Sequence, residues 1–280
     1  MSAGSAYPAP AKLNLSLRVT GRRADGYHLL QTVFRFIDFG DTLHYAVRED
    51  GVVARVNDVP GVPDSEDLTL RAARLLQKAG GVRQGADITL EKRLPLGGGL
   101  GGGSSDAATT LLVLNRRWGL NWPRARLQEL ALELGADVPV FVFGESALGQ
   151  GIGEKLVPLE LPPAWYLVLL PPVGVATARV FQDPDLIRDS IPTRIPPFSA
   201  ESCINDLEPV VCRLYPAVAQ HLDWLKQFGR ARMTGSGACV FAEFSTEAAA
   251  CAVLDRLPAA MRGVVARGLA FHPLRDAVGC

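Results

Sequence analysis

Residues 97–103 are the most informative segment of the chain, because six of these seven positions are glycine in a sequence where 28 of 280 residues are. Glycine loses more conformational freedom on folding than any other residue, so such a run needs a structural reason. Without Cβ atoms, successive N–H groups can converge on one anion. Ser104 or Ser105 can cap a following helix, whose positive end then faces the same anion. The run therefore predicts a phosphate-binding loop.

Phosphate loops of other known spacings fit this run poorly. The dinucleotide pattern GxGxxG can be placed at 97–102, but a glycine run makes that match almost automatic, and Arg-Arg-Trp at 116–118 stands where an acid is expected about 20 residues on. A Walker A loop would require lysine at Gly103, and the protein-kinase His-Arg-Asp motif is absent. A flexible linker is disfavoured because regular strand and helix patterns flank the run. What remains is a different loop, P-x-G-G-G-L-G-G-G-S-S, from Pro95 to Ser105.

Two charged residues elsewhere have the types that phosphoryl transfer needs. Lys12 lies beside Asn14 on the polar face of an alternating strand pattern. Asp137 follows a glycine-terminated helix pattern and precedes an apolar run, which can hold its carboxylate at a cleft. A lysine and a carboxylate can together orient and stabilise a transferring phosphoryl group. Taken singly, Lys12 also fits a solvated strand lysine and Asp137 fits a turn residue.

Two turn segments complete the candidate site. The segment DGYH at 25–28 carries Tyr27 and His28, two ring side chains that can contact a bound ligand, or else pack on the sheet and face solvent. The segment TGSG at 234–237 is a second glycine turn, which can close over a substrate or simply join a hairpin. The residues alone leave both pairs of interpretations open.

The glycine loop resembles the ATP-binding motif of the GHMP kinases, the family of galactokinase, homoserine kinase, mevalonate kinase and phosphomevalonate kinase. Four further segments match one branch of that family in chain order: PAKLNL at 10–15, RADGYH at 23–28, GADVP at 135–139 and TGSGAC at 234–239. The resemblance covers nearly the whole chain. It implies an α+β fold in two domains, residues 1–160 like ribosomal protein S5 domain 2 and residues 161–280 ferredoxin-like.

The resemblance also implies an activity, the ATP-dependent phosphorylation of the 2-hydroxyl of a CDP-linked methylerythritol in the non-mevalonate route to isoprenoid precursors. Mg²⁺ is expected to accompany ATP, with no ligands assigned and with the role of Asp106 open. The catalytic residues it implies are Lys12 and Asp137. The ATP-binding residues it implies are Pro95, Leu96, Gly97, Gly98, Gly99, Leu100, Gly101, Gly102, Gly103, Ser104 and Ser105. The substrate-binding residues it implies are Asn14, Tyr27, His28, Phe181, Gly235 and Ser236.

Hydrophobic periodicity predicts the elements that must position these residues. The predicted strands are Ala11–Val19, Val33–Phe39, about Thr42–Val47, Ala86–Lys92, Val138–Phe143, Trp165–Leu170, Cys239–Phe244 and Val264–Phe271. The predicted helices run from a Ser65 cap to Lys78, over Ser105–Trp118, from Pro123 as first helical residue to Leu134, over Leu207–Phe228 with interruptions at Pro209 and Pro216, and over Glu247–Leu257. Residues 183–197 are predicted to form a loop.

Composition excludes several classes of protein. With 48% hydrophobic and 21% charged residues, the chain can bury a core, which excludes disorder, collagen and coiled coil. Lys and Arg number 29, as do Asp and Glu, so nucleic acid and anionic membranes are not expected partners. Five cysteines without a CxxC pair favour a cytoplasmic protein. A monomer or homodimer acting on a small molecule is expected; a silent nucleotide-binding regulator is the alternative, and a nicotinamide oxidoreductase lacks its acid.

Overall fold

The computed structural model describes residues 5–194 and 203–275. Its N-terminal part is built on a long antiparallel hairpin of β1 (Tyr7–Arg22) and β2 (His28–Arg48). The other strands of this part are β3 (Val53–Arg55), β4 (Gly85–Glu91), β5 (Ala147–Gly151) and β6 (Lys155–Pro158). Its helices are α1 (Leu68–Gly80), α2 (Gly102–Arg117), α3 (Arg124–Leu134) and α4 (Val138–Phe143). β2 pairs with β1, β4 and β5, so it organises the sheet on which the site is built.

The C-terminal part packs helices on strands that form the second half of the same sheet. Its strands are β7 (Trp165–Leu169), β8 (Ala231–Met233), β9 (Val240–Phe244) and β10 (Gly263–Leu269). Its helices are α5 (Thr177–Gln182), α6 (Glu208–Leu214), α7 (Pro216–Lys226) and α8 (Glu247–Leu254). β10 pairs antiparallel with both β7 and β2, giving the strand order β3-β4-β2-β10-β7-β9-β8. The two parts are therefore joined through backbone hydrogen bonds.

Three clusters of buried apolar residues hold the described part of the chain together. One lies under α1–α4, and another under α6 and α7. The third joins β1 to the C-terminal strands and includes Leu13, Leu15, Tyr166 and Phe241. Burying a large apolar side chain stabilises a fold by about 1.5–3 kcal/mol, so the third cluster favours one fixed arrangement of the two parts.

The prediction of two strands at Val33–Phe39 and Thr42–Val47 is wrong, because both belong to the single strand β2. Gly40 and Asp41 look like a turn in the sequence. In the structure β1 pairs with β2 and passes very close to Gly40. A Cβ on Gly40 would lie 2.3 Å from the carbonyl oxygen of Ala9. The glycine therefore permits a close approach between strands at a register irregularity rather than ending the strand.

The strand predicted at Val138–Phe143 is also wrong, because these residues form the short helix α4. Pro139 lies in the first turn of the helix, where its missing N–H costs nothing. Val138 to Val142 are all buried. An apolar run that is buried on every side carries no period, so the sequence cannot separate a strand from a helix there.

The predicted caps need correction in two helices. Asp67, not Ser65, caps α1, since its carboxylate accepts a hydrogen bond from the Thr69 N–H at 2.7 Å. α2 begins at Gly102 with Gly101 as its N-cap in the left-handed conformation, and neither Ser104 nor Ser105 caps it. Both serines lie inside the helix. The first amides of α2 are therefore left without a side-chain cap, as an anion-binding helix end requires.

Smaller differences concern helix and loop boundaries. Pro123 is the N-cap of α3 rather than its first residue. The helical region predicted at 207–228 divides at Pro216, but Pro209 lies in the first turn of α6 and interrupts nothing. The predicted loop is irregular up to residue 194, and residues 195–197 lie outside the described ranges. The remaining strands and helices are confirmed with shifted ends. No helix in the described ranges is long and apolar enough to cross a membrane.

Asp67→Ala is expected to lower the free energy of unfolding by about 3 kcal/mol, since it removes a helix cap and breaks a buried ion pair. The Asp67 carboxylate lies 2.6 Å from the Arg55 guanidinium, and both side chains are almost fully buried. Urea unfolding measures the loss. Asp64→Ala is the matched control: Asp64 also pairs with Arg55, but at 67% exposure its loss should cost less than about 1 kcal/mol. Equal losses in the two variants would contradict this account.

Candidate active site

The glycine loop connects the end of β4 to the start of α2. Gly97, Gly99 and Gly101 have φ values of 65°, 74° and 72°, which favour glycine. A Cβ on Gly99 would lie 2.3 Å from the carbonyl oxygen of Thr234, so the loop is pressed against the second glycine turn. Residues 95–104 line a cleft of about 410 Å³, here called the loop cleft. The structure thus places the loop and the uncapped end of α2 around one cavity.

Lys12 and Asp137, 125 positions apart in the sequence, meet in the structure: Lys12 Nζ lies 3.1 Å from Asp137 Oδ2. Lys12 also donates a hydrogen bond to Asn14 Oδ1 at 2.5 Å, and the Asn14 amide in turn donates to Thr32 Oγ1 at 2.8 Å. The Lys12 side chain is 2% exposed, whereas that of Asp137 is 40% exposed. Asn14 therefore holds the Lys12 ammonium group on its buried side, whereas the Asp137 carboxylate remains accessible to solvent.

The fold explains why Asp137 is fixed at this place. α3 ends at Leu134, Gly135 is its C-cap, and Asp137 is the N-cap residue of α4. α4 is buried against α2 and α3, so the backbone at Asp137 cannot move independently of them. On the other side of the pair, a Cβ on Gly101 would lie 3.1 Å from Lys12 Cε. The glycine loop therefore runs directly over the lysine stem.

A second cavity of about 710 Å³, here called the hairpin cleft, opens on the other side of this pair. Its lining includes all of the predicted catalytic and substrate-binding residues, namely Lys12, Asn14, Tyr27, His28, Asp137, Phe181, Gly235 and Ser236. The loop cleft and the hairpin cleft share five residues, namely Gly99, Ser104, Asp137, Thr177 and Ser236. Asp137 therefore lies where a group can pass from one cavity to the other.

The aromatic end of the hairpin cleft is formed by both parts of the chain. His28, at the start of β2, stacks on Phe181 of α5 with ring centroids 4.9 Å apart. Tyr27 is 60% exposed at the same rim. Burial lowers the pKa of His28, and the guanidinium groups of Arg188 and Arg22 lower it further. The imidazole is therefore kept neutral at the entrance of the cleft.

The second glycine turn connects the C-terminal part to the glycine loop. The N–H of Ala238 donates to the Gly97 carbonyl at 3.2 Å, and that of Cys239 donates to the Gly98 carbonyl at 3.0 Å. Asn205, which the sequence analysis did not single out, donates to the carbonyl oxygens of Met233 and Gly235, each at 2.8 Å. Its partners lie about thirty positions away, so no local pattern marks it. The turn is thus held rigid against the loop rather than serving only as a hairpin connection.

The role of Asp106 was open in the sequence, and no local pattern connected it with Lys92 and Asp41, with which it forms a buried charged cluster beneath the loop. Lys92 Nζ lies 2.5 Å from Asp41 Oδ2 and 2.8 Å from Asp106 Oδ2, and it lines the loop cleft. Burial raises the pKa of Asp106 to about 7; the nearby Lys92 opposes this shift and Asp41 adds to it. Burial alone would lower the pKa of Lys92, but the two carboxylates together raise it. This cluster connects the end of β4 with the first turns of α2 and with β2.

These features define a class of kinase, and comparison with known families identifies the class. The models of the GHMP kinase N-terminal domain and of the GHMP kinase C-terminal domain match residues 67–145 and 195–263. The 4-diphosphocytidyl-2-C-methyl-D-erythritol kinase of Nitrosospira multiformis is 63% identical over 272 residues, which cover 96% of this chain and 92% of that protein. The enzyme of the same name from Thiobacillus denitrificans is 62% identical over 98% of both chains. The chain belongs to the 4-diphosphocytidyl-2-C-methyl-D-erythritol kinases.

Solved structures agree with this assignment. The crystal structure of a 4-(cytidine 5'-diphospho)-2C-methyl-D-erythritol kinase matches 94% of this chain and 99% of its own, with a TM-score of 0.81 and 33% identity. The mevalonate kinase of Methanococcus jannaschii matches with a TM-score of 0.67 at 15% identity, which shows the shared fold alone. The predicted fold class, with its two GHMP kinase parts, is confirmed.

Proposed function

We propose that the protein transfers the γ-phosphoryl group of ATP to the 2-hydroxyl of 4-(cytidine 5'-diphospho)-2-C-methyl-D-erythritol, giving the 2-phosphate and ADP, in the non-mevalonate route to isoprenoid precursors. The observation that carries this proposal is the Lys12–Asp137 pair, which lies between two cavities that share Asp137. The relatives supply the substrate, since those at 55–63% identity carry this kinase name.

The loop cleft is the ATP side of the proposed site. The glycine loop and the uncapped amides of α2 present N–H groups, and the helix dipole adds positive potential where the phosphates would lie. Adjacent to the loop, Lys92 contributes a cation whose charge is balanced by two buried carboxylates. The hairpin cleft is the acceptor side, where His28 and Phe181 offer an aromatic wall to a pyrimidine ring.

The transfer itself needs few groups. As the acceptor oxygen bonds to the γ-phosphorus, its O–H bond breaks, and the Asp137 carboxylate orients the hydroxyl and receives the proton. The bond from the γ-phosphorus to the β–γ bridging oxygen breaks, and ADP leaves with that oxygen. Lys12, 3.1 Å from Asp137, supplies a fixed positive charge beside the reacting oxygens. Asn14 accepts a hydrogen bond from this ammonium group and so holds it in place.

The expected Mg²⁺ fits the donors at the start of α2. Ser105 Oγ and Asp106 Oδ1 are buried and have no hydrogen-bond partner within the described ranges, and oxygen atoms are the ligands that Mg²⁺ prefers. No group of three or more His, Cys, Asp or Glu side chains suited to a metal exists among the described residues, so the nucleotide phosphates would supply the remaining ligands. Asp106, which lines the loop cleft, would hold the ion, and the ion when bound would neutralise charge on the phosphates.

The same proposal includes the setting in which the enzyme works. The four described cysteines are free thiols, which fits a reducing cytoplasm. Equal numbers of acidic and basic residues and a small-molecule acceptor fit an enzyme without a nucleic-acid partner, acting as a monomer or homodimer.

The proposed domain division lies near residue 160, between the end of β6 at Pro158 and the start of β7 at Trp165.

The proposed reaction is tested by measuring ADP release from ATP with four candidate acceptors. The CDP-linked methylerythritol is expected to support turnover, whereas mevalonate, homoserine and galactose are not. Phosphorus NMR of the product then locates the new phosphate at the 2-position. Turnover with another acceptor alone would contradict the proposed substrate, and nucleotide binding without any turnover would favour a silent regulator.

A further inference from the structure

Arg188 makes an unusual contact with the ring of His28. Its Nε–H donates a hydrogen bond to His28 Nε2 at 3.2 Å, from a residue 160 positions away in the loop after α5. Its other nitrogens donate to the carbonyl oxygens of Leu186, Phe181 and Asp183 at 2.6–3.1 Å. A guanidinium group that is anchored by three backbone carbonyls cannot rotate away from the imidazole. The contact is therefore a built feature of the aromatic end of the hairpin cleft.

The chemistry of this contact fixes the position of the imidazole proton. An arginine N–H is only a donor, so the nitrogen that it contacts must present a lone pair. If His28 Nε2 carries no proton, the neutral ring must carry its proton on Nδ1. No hydrogen bond to His28 Nδ1 is found within the described ranges, and the ring lines the hairpin cleft. The cleft is thus bordered by a histidine that can donate.

We propose that Arg188 is a positioning residue that holds His28 in the Nδ1-protonated tautomer, so that the ring offers an N–H donor to an acceptor atom of the substrate's pyrimidine. This inference rests on the proposed function, since it assumes that the acceptor carries a cytosine. Cytosine donates through its amino group, and its O2 and N3 atoms accept hydrogen bonds. Phe181, whose carbonyl oxygen accepts from Arg188, stacks on the same imidazole, so one arginine fixes both rings.

The electrostatic surroundings of His28 support a neutral ring. The charged groups that act on the imidazole are Arg188 and Arg22, both cationic, and together with burial they lower its pKa. The carboxylates of Asp25 and Asp183, on the two segments that pack against the ring, are each paired with a different arginine. Neither of these two carboxylates therefore competes for the proton of the His28 imidazole.

Replacing Arg188 should change substrate affinity in a way that depends on pH. In Arg188→Gln, His28 can move its proton to Nε2 and face the pyrimidine with a lone pair, so KM for the CDP-linked substrate is expected to rise about tenfold at pH 8. At pH 5.5 more of the rings carry a proton on both nitrogens and donate again, since removing Arg188 takes away one of the charges that lower the pKa of His28. The KM defect should then shrink to about threefold or less, while kcat changes little at either pH.

The tautomer can be read directly, without any turnover. Nitrogen-15 spectra of the histidine ring should show His28 protonated on Nδ1 in the original protein, with the signal assigned through His28→Gln. The Arg188→Gln protein should show a shift toward the Nε2-protonated form. Arg188→Lys keeps a cationic donor near Nε2 and should recover part of the affinity. Arg179→Gln removes an exposed arginine from α5, next to the same pocket, and controls for the loss of charge.

The outcomes separate this inference from the proposed function. An original protein with His28 protonated on Nε2, or a KM defect of equal size at pH 5.5 and pH 8, would overturn the role of Arg188. An unchanged KM in Arg188→Gln would also overturn the role of Arg188. Absence of turnover on the CDP-linked substrate in the original protein would instead overturn the proposed function, whereas the spectra would still report on the tautomer.

Discussion

Asp137→Ala is expected to lower kcat by about 10²- to 10⁴-fold, the range that a positioned general base contributes. The carboxylate borders both clefts and is the one acidic group that contacts Lys12 among the described ion pairs. Without it, the acceptor hydroxyl has no group to orient it or to take its proton. Steady-state kinetics with saturating ATP and substrate measure the loss.

Nucleotide affinity should behave differently in the same variant. Removing a negative charge from the edge of the loop cleft does not weaken the binding of a triphosphate, so the dissociation constant for ATP should stay within about threefold of the original. Glu133→Gln, an exposed carboxylate on the neighbouring helix α3, is the control and should leave kcat unchanged. A normal kcat in Asp137→Ala would remove Asp137 from its proposed role, and a loss of ATP binding would indicate a folding defect instead.

Asp137→Asn adds a finer test of what the carboxylate does. The amide keeps an oxygen that can accept a hydrogen bond from Lys12 or from the acceptor hydroxyl, but it cannot take a proton. Because Asp137 receives the proton in the proposed transfer, Asp137→Asn should be about as slow as Asp137→Ala. Much higher activity in Asp137→Asn than in Asp137→Ala would contradict the transfer of the proton to Asp137 and leave the carboxylate the orienting role alone.

The sequence was most informative where one element carries its own signal. The glycine run between a strand and a helix predicted a loop followed by a helix, and the alternation around Lys12 and Asn14 predicted β1. The family resemblance, now confirmed, supplied the two-part fold. The glycine run and the strand alternation are local signals, because they depend on residue type and on a period of two.

Features that depend on distant contacts were missed or misread. Gly40 looks like a turn until β1 is seen to cross it, and nothing near Arg188 in the sequence indicates a bond to a histidine 160 positions away. The uncapped start of α2 is a similar case. Ser104 and Ser105 have the right type for a cap, but the left-handed Gly101 starts the helix before them. The site depends on such contacts for rigidity, although its residue types are visible in the sequence.

Gly99→Ala is expected to lower kcat/KM for ATP by about 100-fold, because a displacement of about 1 Å in a positioned loop costs that much. With φ at +74°, a side chain is strained at Gly99 whatever space surrounds it. The new Cβ would also lie 2.3 Å from the carbonyl oxygen of Thr234, a backbone atom that cannot rotate away. The loop must therefore lose its contact with the second glycine turn. Kinetics at varied ATP, with thermal unfolding to confirm a folded protein, measure the effect.

Two other glycines make this prediction specific. Gly174→Ala is the matched control, because Gly174 lies beside the same loop but its Cβ would meet only the Leu96 carbonyl at 3.9 Å, an ordinary contact. Gly101→Ala should reach the chemistry as well as the binding: at φ +72° its side chain strains the loop, and its Cβ would lie 3.0 Å from Phe141 Cζ and 3.1 Å from Lys12 Cε, next to the ammonium that contacts Asp137. Gly99→Ala should thus mainly raise KM for ATP, whereas Gly101→Ala should also lower kcat. If both substitutions changed KM and kcat alike, the loop would not divide binding from transfer as the geometry requires.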